Sequence, residues 1–306
     1  MKPLKRRAIQ GPFQDKVFDV FNFLFITLFL IIVLYPLVFI ISASFSDPYA
    51  VTKGRMWLWP VDFSTEGYRR VFIYRELWVG YRNTLVYASS TAVIQVIIVM
   101  MAGYAMTREY FPGKKLITIL FMIPMFFGGG LIPFYLIIRS LGLYDKFYTI
   151  PVLSAGVGLM GIVIVRTFIQ TSIPDDLQNA ASIDGCSSFA TFFRIILPLS
   201  GPIMAVNALF AAVGQWNSYY NALIFLKTRA FMPLQIFLRE VLVLNTVDYT
   251  QVQFMAEDAI IYSERARVSQ MIKYSIMIVS TLPIIMLYPF LQRYFVKGIM
   301  VGSIKG

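Results

Sequence analysis

A long apolar window with almost no charge is the feature that most narrows what this chain can become. Phe18 to Ser42 is one such window, and others recur near 83–106, 116–138, 149–170, 198–226 and 272–292. Each reaches the roughly 20 residues that a helix needs to cross the hydrocarbon of a bilayer. Composition agrees: 58% of the 306 residues are hydrophobic and 14% are charged, where a soluble domain carries about a quarter charged. The chain therefore reads as an all-α membrane protein with six transmembrane helices. Phe18–Ser42 is too long for the core of a secretory signal, and Tyr35-Pro36 inside it suits a kinked span better than a cleavage site.

Orientation follows from the flanks. Lys2, Lys5, Arg6, Arg7 and Lys16 precede the first span, so the tail 1–17 is expected in the cytoplasm. An even number of spans returns the tail 293–306, with Arg293, Lys297 and Lys305, to the same side. Between the tails, 18–82 reads as a first span with an external loop, and 83–292 as a core of five spans. The external loop carries Trp57, Trp59, Tyr68, Phe72, Tyr74 and Trp78, which suit the headgroup level. Arg108, Lys114 and Lys115 around the Pro112-Gly113 turn mark a cytoplasmic connection.

Several chemistries are removed at once. The chain has no His, hence no histidine general base and no histidine-ligated metal. Its single cysteine, Cys186, allows no internal disulfide. No GxxxxGK[ST] loop occurs, and Gly128-Gly129-Gly130 lies in an apolar span without a following Lys, so no nucleotide cradle is expected. Asp175-Asp176 and Glu257-Asp258 are adjacent pairs whose side chains diverge on a helix, unsuited to paired acid–base work. The net charge of +11 has no basic run interleaved with stacking aromatics, so lipid headgroups rather than nucleic acid are its expected partners. No catalytic residue, metal site or bound cofactor is expected of this chain.

The polar residues inside the spans are few. The third span is interrupted by Pro124, Gly128–Gly130 and Pro133, either as a kink or because it lines a wet path. Gly156, Gly158 and Gly161 in the fourth suit close helix packing. The fifth holds Gln215, Trp216, Asn217, Tyr219, Tyr220 and Asn221. Amides, hydroxyls and aromatic faces match sugar hydroxyls and rings without adding charge, so these six are candidates for a translocation path. An interhelical hydrogen-bond network, or a span that ends early, are the competing readings. The loop 227–271, with Glu240, Asp248, Glu257, Asp258 and Glu264, reads as a lid or an external contact. Pro283 and Pro289 interrupt the sixth span.

Pro174 to Pro198 does not look like an ordinary loop. Pro174 suits a first helical turn, Asp175 and Asp176 complement the positive end of the helix dipole, and Gly185 is a left-handed stop. Leu177, Ala180, Ala181 and Asp184 recur at helical spacing, with the Ala pair permitting close approach by another protein. Ser187 or Ser188 can cap a second helix, whose Phe189, Phe192, Phe193 and Ile196 form an apolar stripe expected to anchor it under the bundle.

NAASIDGCSSFATFFRIILPLSGP resembles the EAA loop of bacterial ABC-importer permeases, EAAxxDGxxxxxxFxxIxLP. Ala180, Ala181, Asp184, Gly185, Phe192, Ile195, Leu197 and Pro198 stand on matching positions. GGLIPFYLIIRSLGLYD, GQWNSYYNALIF and QRYFVKGIMVGSIKG are similar to the carbohydrate-uptake branch related to the maltose permeases, GGLIPFYL to its polysaccharide/oligosaccharide subgroup. The resemblance implies a type I permease fold whose coupling helix docks on an ATPase through Asp176, Asn179, Ala180, Ala181, Asp184, Gly185, Phe192 and Pro198. It further implies a second permease, two ATPase subunits that use ATP and Mg, an extracytoplasmic solute-binding protein, and a place in the bacterial cytoplasmic (inner) membrane. Asn179 stands where the family has Glu, which removes one possible ionic contact.

Two rivals follow from the residues alone. A channel or ion-coupled carrier would need ionisable groups at bilayer depth, which the spans nearly lack apart from flanks such as Arg139 and Arg166. A membrane enzyme or assembly protein for lipid-linked polysaccharide would show turnover by the chain alone. External cations, among them Lys53, Arg55, Arg69, Arg70, Arg239, Arg265 and Arg267, are compatible with an acidic oligosaccharide.

Overall fold

The computed structural model describes residues 13–108, 111–154, 156, 159–244 and 267–287. Lys2–Arg7, Gly158, Asp248, Glu257, Asp258, Glu264, Arg265, Pro289 and the tail 293–306 lie outside them. The described residues are helical, with no strand among them. They fall into two compact units, 1–71 with 246–278, and 72–245 with 279–306.

The first unit begins with α1 (Phe13–Ser44), whose apolar side chains are exposed all round, as in a helix that meets lipid or a partner on every side. The expected external loop is structured. Asp47 caps α2 (Pro48–Thr52) by accepting from the Tyr49 N–H at 2.9 Å. In α3 (Glu66–Ile73), Gly67 lies so close to the last described helix, α15 (Arg267–Leu287), that a Cβ would meet the Met271 carbonyl oxygen at 2.8 Å. Phe45 stacks between Phe63 and Tyr68. Trp57 and Trp59 are 75% and 82% exposed, in keeping with a headgroup position.

The second unit is built on α4 (Arg75–Thr107), which starts at Arg75 rather than Asn83. Asn83 and Thr84 are not the mouth of a span but part of a latch. Asn83 Nδ2 donates to the Ala230 and Met232 carbonyls at 2.8 and 3.0 Å, the Tyr87 hydroxyl donates to Phe231 O at 2.7 Å, and Thr84 Oγ1 accepts from Leu234 N–H at 2.9 Å. The third expected span divides into α5 (Lys114–Phe126) and α6 (Leu131–Ser140) around the glycine run, and the fourth into α7 (Thr149–Ser154) and α8 (Leu159–Ser172). Next come α9 (Asp175–Ile183), α10 (Ser188–Thr191), a π-turn at Phe192–Ile196, α11 (Leu197–Leu199), α12 (Gly201–Asn217), α13 (Tyr220–Phe225) and α14 (Leu234–Arg239). Of these helices α1, α4 and α15 are each long and apolar enough to cross a bilayer alone; Ser188–Leu199 and α12 qualify together as a pair bent by 80°.

Two glycines bring α4 and α8 together. A Cβ on Gly103 would sit 2.5 Å from Val165 Cγ1 and 3.2 Å from the Arg166 nitrogen, and one on Gly161 would sit 3.1 Å from Val99 Cγ1. Around this crossing Met100, Tyr104, Ile162, Val165, Ile169, Phe192 and Ile196 form the core. At the other end, Asp145, at φ +54, accepts from the backbone N–H groups of Lys227 and Thr228 and from the Thr228 hydroxyl, all at 2.8 Å. These donors, Thr228's backbone first, hold its carboxyl below the usual carboxylate range.

Candidate functional site

Two concavities follow one another along the C-terminal half of α4. The first is a cleft of about 910 Å³ between the end of α4, the turn before α5, and one face of α9. Pro174 immediately precedes α9 rather than entering it, and Asp175 and Asp176 occupy the first turn. At the far end Gly185 takes φ +75, with Cys186 N–H donating to Ala181 O at 2.9 Å and Gly185 N–H to Ser182 O at 3.2 Å. This is a Schellman stop, in which the left-handed residue closes off two orphan carbonyls. Ser187, not Ser188, caps α10, accepting from Ala190 N–H at 3.2 Å.

The side chains of α9 divide sharply. Gln178 and Ala181 are buried within the chain, so Ala181 is not half of an outward-facing alanine pair. Asp176, Asn179, Ala180, Asp184 and Gly185 are exposed, and so is Ile183, at 87%, which sequence reasoning passed over. The expected apolar stripe also divides. Phe192 and Ile196 are buried, with Phe192 against Tyr104 at 5.3 Å. Phe189 and Phe193 instead remain 66% and 45% exposed and pack on each other at 4.6 Å. The π-turn Phe192–Ile196 inserts an extra residue into the helical register, so one period does not describe the whole segment. Pro198 is exposed on α11, before the bend at Ser200, and does not open α12.

The second concavity, about 530 Å³, runs between α4, α8 and α12 and is lined by Thr91, Gln95, Ser154, Asn207, Gln215 and Ser218 among apolar groups. Among the described residues, no Asp, Glu, Lys or Arg is in its lining. The Ser154 hydroxyl donates to Gln215 Oε1 and Gln95 Nε2 donates to Ser154 O, both at 2.7 Å. Asn207 Nδ2 turns back on Ile203 O at 2.9 Å, leaving its Oδ1 beside Gly161. Thr91 Oγ1 is buried and has no hydrogen-bond partner among the described residues.

The six path candidates do not lie together as one group. Gln215 lines the groove. Trp216 points elsewhere, donating from Nε1 to Ser280 O at 3.3 Å and lying edge-on to Tyr81 at 6.1 Å. Asn217 bonds to Val213 O in its own helix at 3.0 Å. Tyr219 and Tyr220 are exposed and, like half-buried Asn221, lie outside the groove lining. The expected span 198–226 ends at Asn217 and resumes at Tyr220, so the early-ending reading describes this cluster. Thr91, Gln95, Ser154 and Asn207 were missed; an amide inside TAVIQVIIVM was the signal available for Gln95.

A helical bundle with several apolar helices, a polar groove and a capped pair of short helices is an architecture that suits a membrane transport subunit. The chain belongs to the family of binding-protein-dependent transport system inner membrane components, whose model matches residues 114–301. It is 35% identical to protein LplC of Bacillus subtilis (strain 168) over 295 residues, 95% of this chain and 96% of the relative. It is 33% identical to the polygalacturonan/rhamnogalacturonan transport system permease protein YtcP of the same organism, over 96% of this chain and 100% of the relative. A solved chain from a bacterial ABC transporter involved in the import of the acidic polysaccharide alginate matches with a TM-score of 0.82 and 29% identity, covering 93% of this chain and 99% of that one. The protein thus has the permease fold of type I ABC importers and is a multi-pass inner-membrane component rather than an enzyme.

Proposed function

We propose that this chain forms half of the translocation path of an ATP-driven importer of oligosaccharides, of the polyuronate class. The observation that carries the reading is the neutral groove. Its amides and hydroxyls suit sugar hydroxyls, and Thr91 Oγ1 and Asn207 Oδ1 face no competing charge. A carrier working alone would need an ionisable group in such a path. The acidic class is supported by two relatives, one named for polygalacturonan and one from an alginate importer. The external cations support it less than the sequence suggested. Arg69 and Arg70 are both bound to Glu66 at 2.9 Å, Arg55 pairs with Asp62 at 3.6 Å and Arg267 with Asp47 at 3.7 Å.

A second permease supplies the other half of the path. One of two ATPase subunits, which together hold the ATP and Mg, docks on the outward face of α9 through Asp176, Ala180, Ile183 and Asp184, with Asn179 at the edge toward the cleft, on the cytoplasmic side with both chain termini. A solute-binding protein delivers the saccharide to the opposite side. Closure of the ATPase dimer moves α9, and the bundle turns the groove outward. Uptake by the reconstituted importer tests this: labelled oligogalacturonate should enter with ATP hydrolysis, and maltodextrin should not compete. Uptake by this chain without an ATPase would overturn the transport reading. Preference for maltodextrin would overturn the polyuronate assignment alone.

A further inference from the structure

The cleft behind α9 contains two cations that the transport reading does not use. α4 has 33 residues, about 50 Å of helix against about 30 Å of hydrocarbon, so both of its ends reach the headgroup layers. Arg108 follows its last turn. The guanidinium lies 4.5 Å over the Tyr104 ring and donates to the Tyr104 hydroxyl, which itself donates to Ser188 O at 3.2 Å. Arg108 Nε is buried and has no acceptor among the described residues. Across the turn, Lys114 Nζ reaches the Arg108 carbonyl at 3.4 Å. Neither cation forms an ion pair with a described carboxylate. Asp175 lines the same cleft, but it is exposed and is not paired with either of them.

We propose that this cleft binds a phosphate-bearing anion, with Arg108 and Lys114 as its cationic ligands and Asn179 and Ser188 as neutral donors. A guanidinium set over an aromatic ring still has N–H groups that phosphate oxygens can accept from, and the ammonium adds a point charge. The volume of about 910 Å³ admits a whole headgroup, and the cleft lies where a phospholipid phosphate or a free phosphate of the aqueous phase can enter. The bound anion joins the end of α4 to the inner side of α9, so the position of α9 depends on its presence.

The test uses the intact importer in phosphatidylcholine nanodiscs with and without phosphatidylglycerol, and reads retained lipid by native mass spectrometry. Wild type should retain phosphatidylglycerol, and the double variant Arg108→Gln/Lys114→Gln should retain about tenfold less or lower still. Arg139→Gln, on α6, should behave as wild type. Displacement of the lipid by added inorganic phosphate assigns the site to phosphate from either source; retention that phosphate does not disturb assigns it to the headgroup. If the double variant fails to assemble, Arg108→Lys should bind and Lys114→Gln alone should bind more weakly than wild type. Equal retention by wild type and these glutamine variants, or of both lipids by wild type, overturns the proposal. So does strong binding gained only on Glu109→Gln, which would mean that this carboxylate, outside the described residues, already fills the site. The readout is binding rather than transport, so it stands or falls separately from the proposed uptake.

Discussion

The groove and the cleft share one helix and differ in charge. Thr91, Gln95 and Val99 of α4 face the groove, which has no ionisable lining residue among the described residues; Tyr104, Thr107 and Arg108 face the cleft, which holds Arg108, Lys114 and Asp175. The difference follows from depth. A charge in the hydrocarbon costs several kcal/mol unless it is paired or wetted, so neutral amides and hydroxyls are what α4 can present at mid-membrane. At its end, where headgroups and water begin, cations are tolerated and sugar-like neutrality is no longer required. One helix thus presents a neutral surface and a charged one.

The largest effect should come from forcing the two surfaces apart. Gly103 lies between them, and Gly103→Leu drives a side chain into Val165 and the α8 backbone. Overpacking at such a contact costs about 1–3 kcal/mol or more, so thermal unfolding of the purified importer should shift down and both ATP hydrolysis and uptake should fall together. Next is the groove alone. Gln215→Leu leaves the Ser154 hydroxyl without its acceptor, a loss of about 1–3 kcal/mol; uptake should drop about tenfold while ATPase subunits still copurify. A parallel loss of copurification would mean that Gln215 is structural.

The cleft side is broken more gently. Gly185→Val places a β-branched residue at φ +75, which costs about 1–2 kcal/mol, and Asp184→Ala removes an exposed charge beside it. Both should leave the bundle folded while ATP hydrolysis continues with reduced uptake; wild-type transport by both would remove α9 from the coupling role. The smallest effect concerns neither surface directly. The Asp145 carboxyl is depressed by Thr228 and Lys227, so its contribution is present above its unfolded value of about 3.9 and is lost as pH falls through the lower folded value. Thermal melts of Asp145→Ala should match wild type in acid below that window and fall slightly short of it above; a constant offset at every pH would point to packing instead.

These two surfaces were unequally legible. α9 and its cap could be read because Pro174, Asp175, Gly185 and Ser187 act over one or two turns, and local chemistry decides their backbone. The groove could not, because Gln95, Ser154, Asn207 and Gln215 are brought together only by the crossing of α4, α8 and α12. Trp216 and Gln215 are neighbours in sequence and face different surroundings, which clustering along the chain cannot reveal. The phenylalanine stripe failed for a related reason: the π-turn at Phe192–Ile196 changes the period within the segment, and a single helical wheel assigns Phe189 and Phe193 to the wrong environment. The broken spans were visible as prolines and glycines, but the 80° bend at Ser200 was not.

That bend has the form of a bell-crank. Ser200 N–H bonds back to Ile196 O at 3.0 Å and Met204 N–H bonds to Ser200 O at 3.0 Å, so hydrogen bonds cross the corner and the angle is braced rather than slack. One arm, Ser188–Leu199, follows directly from α9; the other, α12, is about 26 Å long and carries Asn207 and Gln215 into the groove. If α9 is displaced, an angle held at 80° hands that displacement from the short arm to the long one in a changed direction.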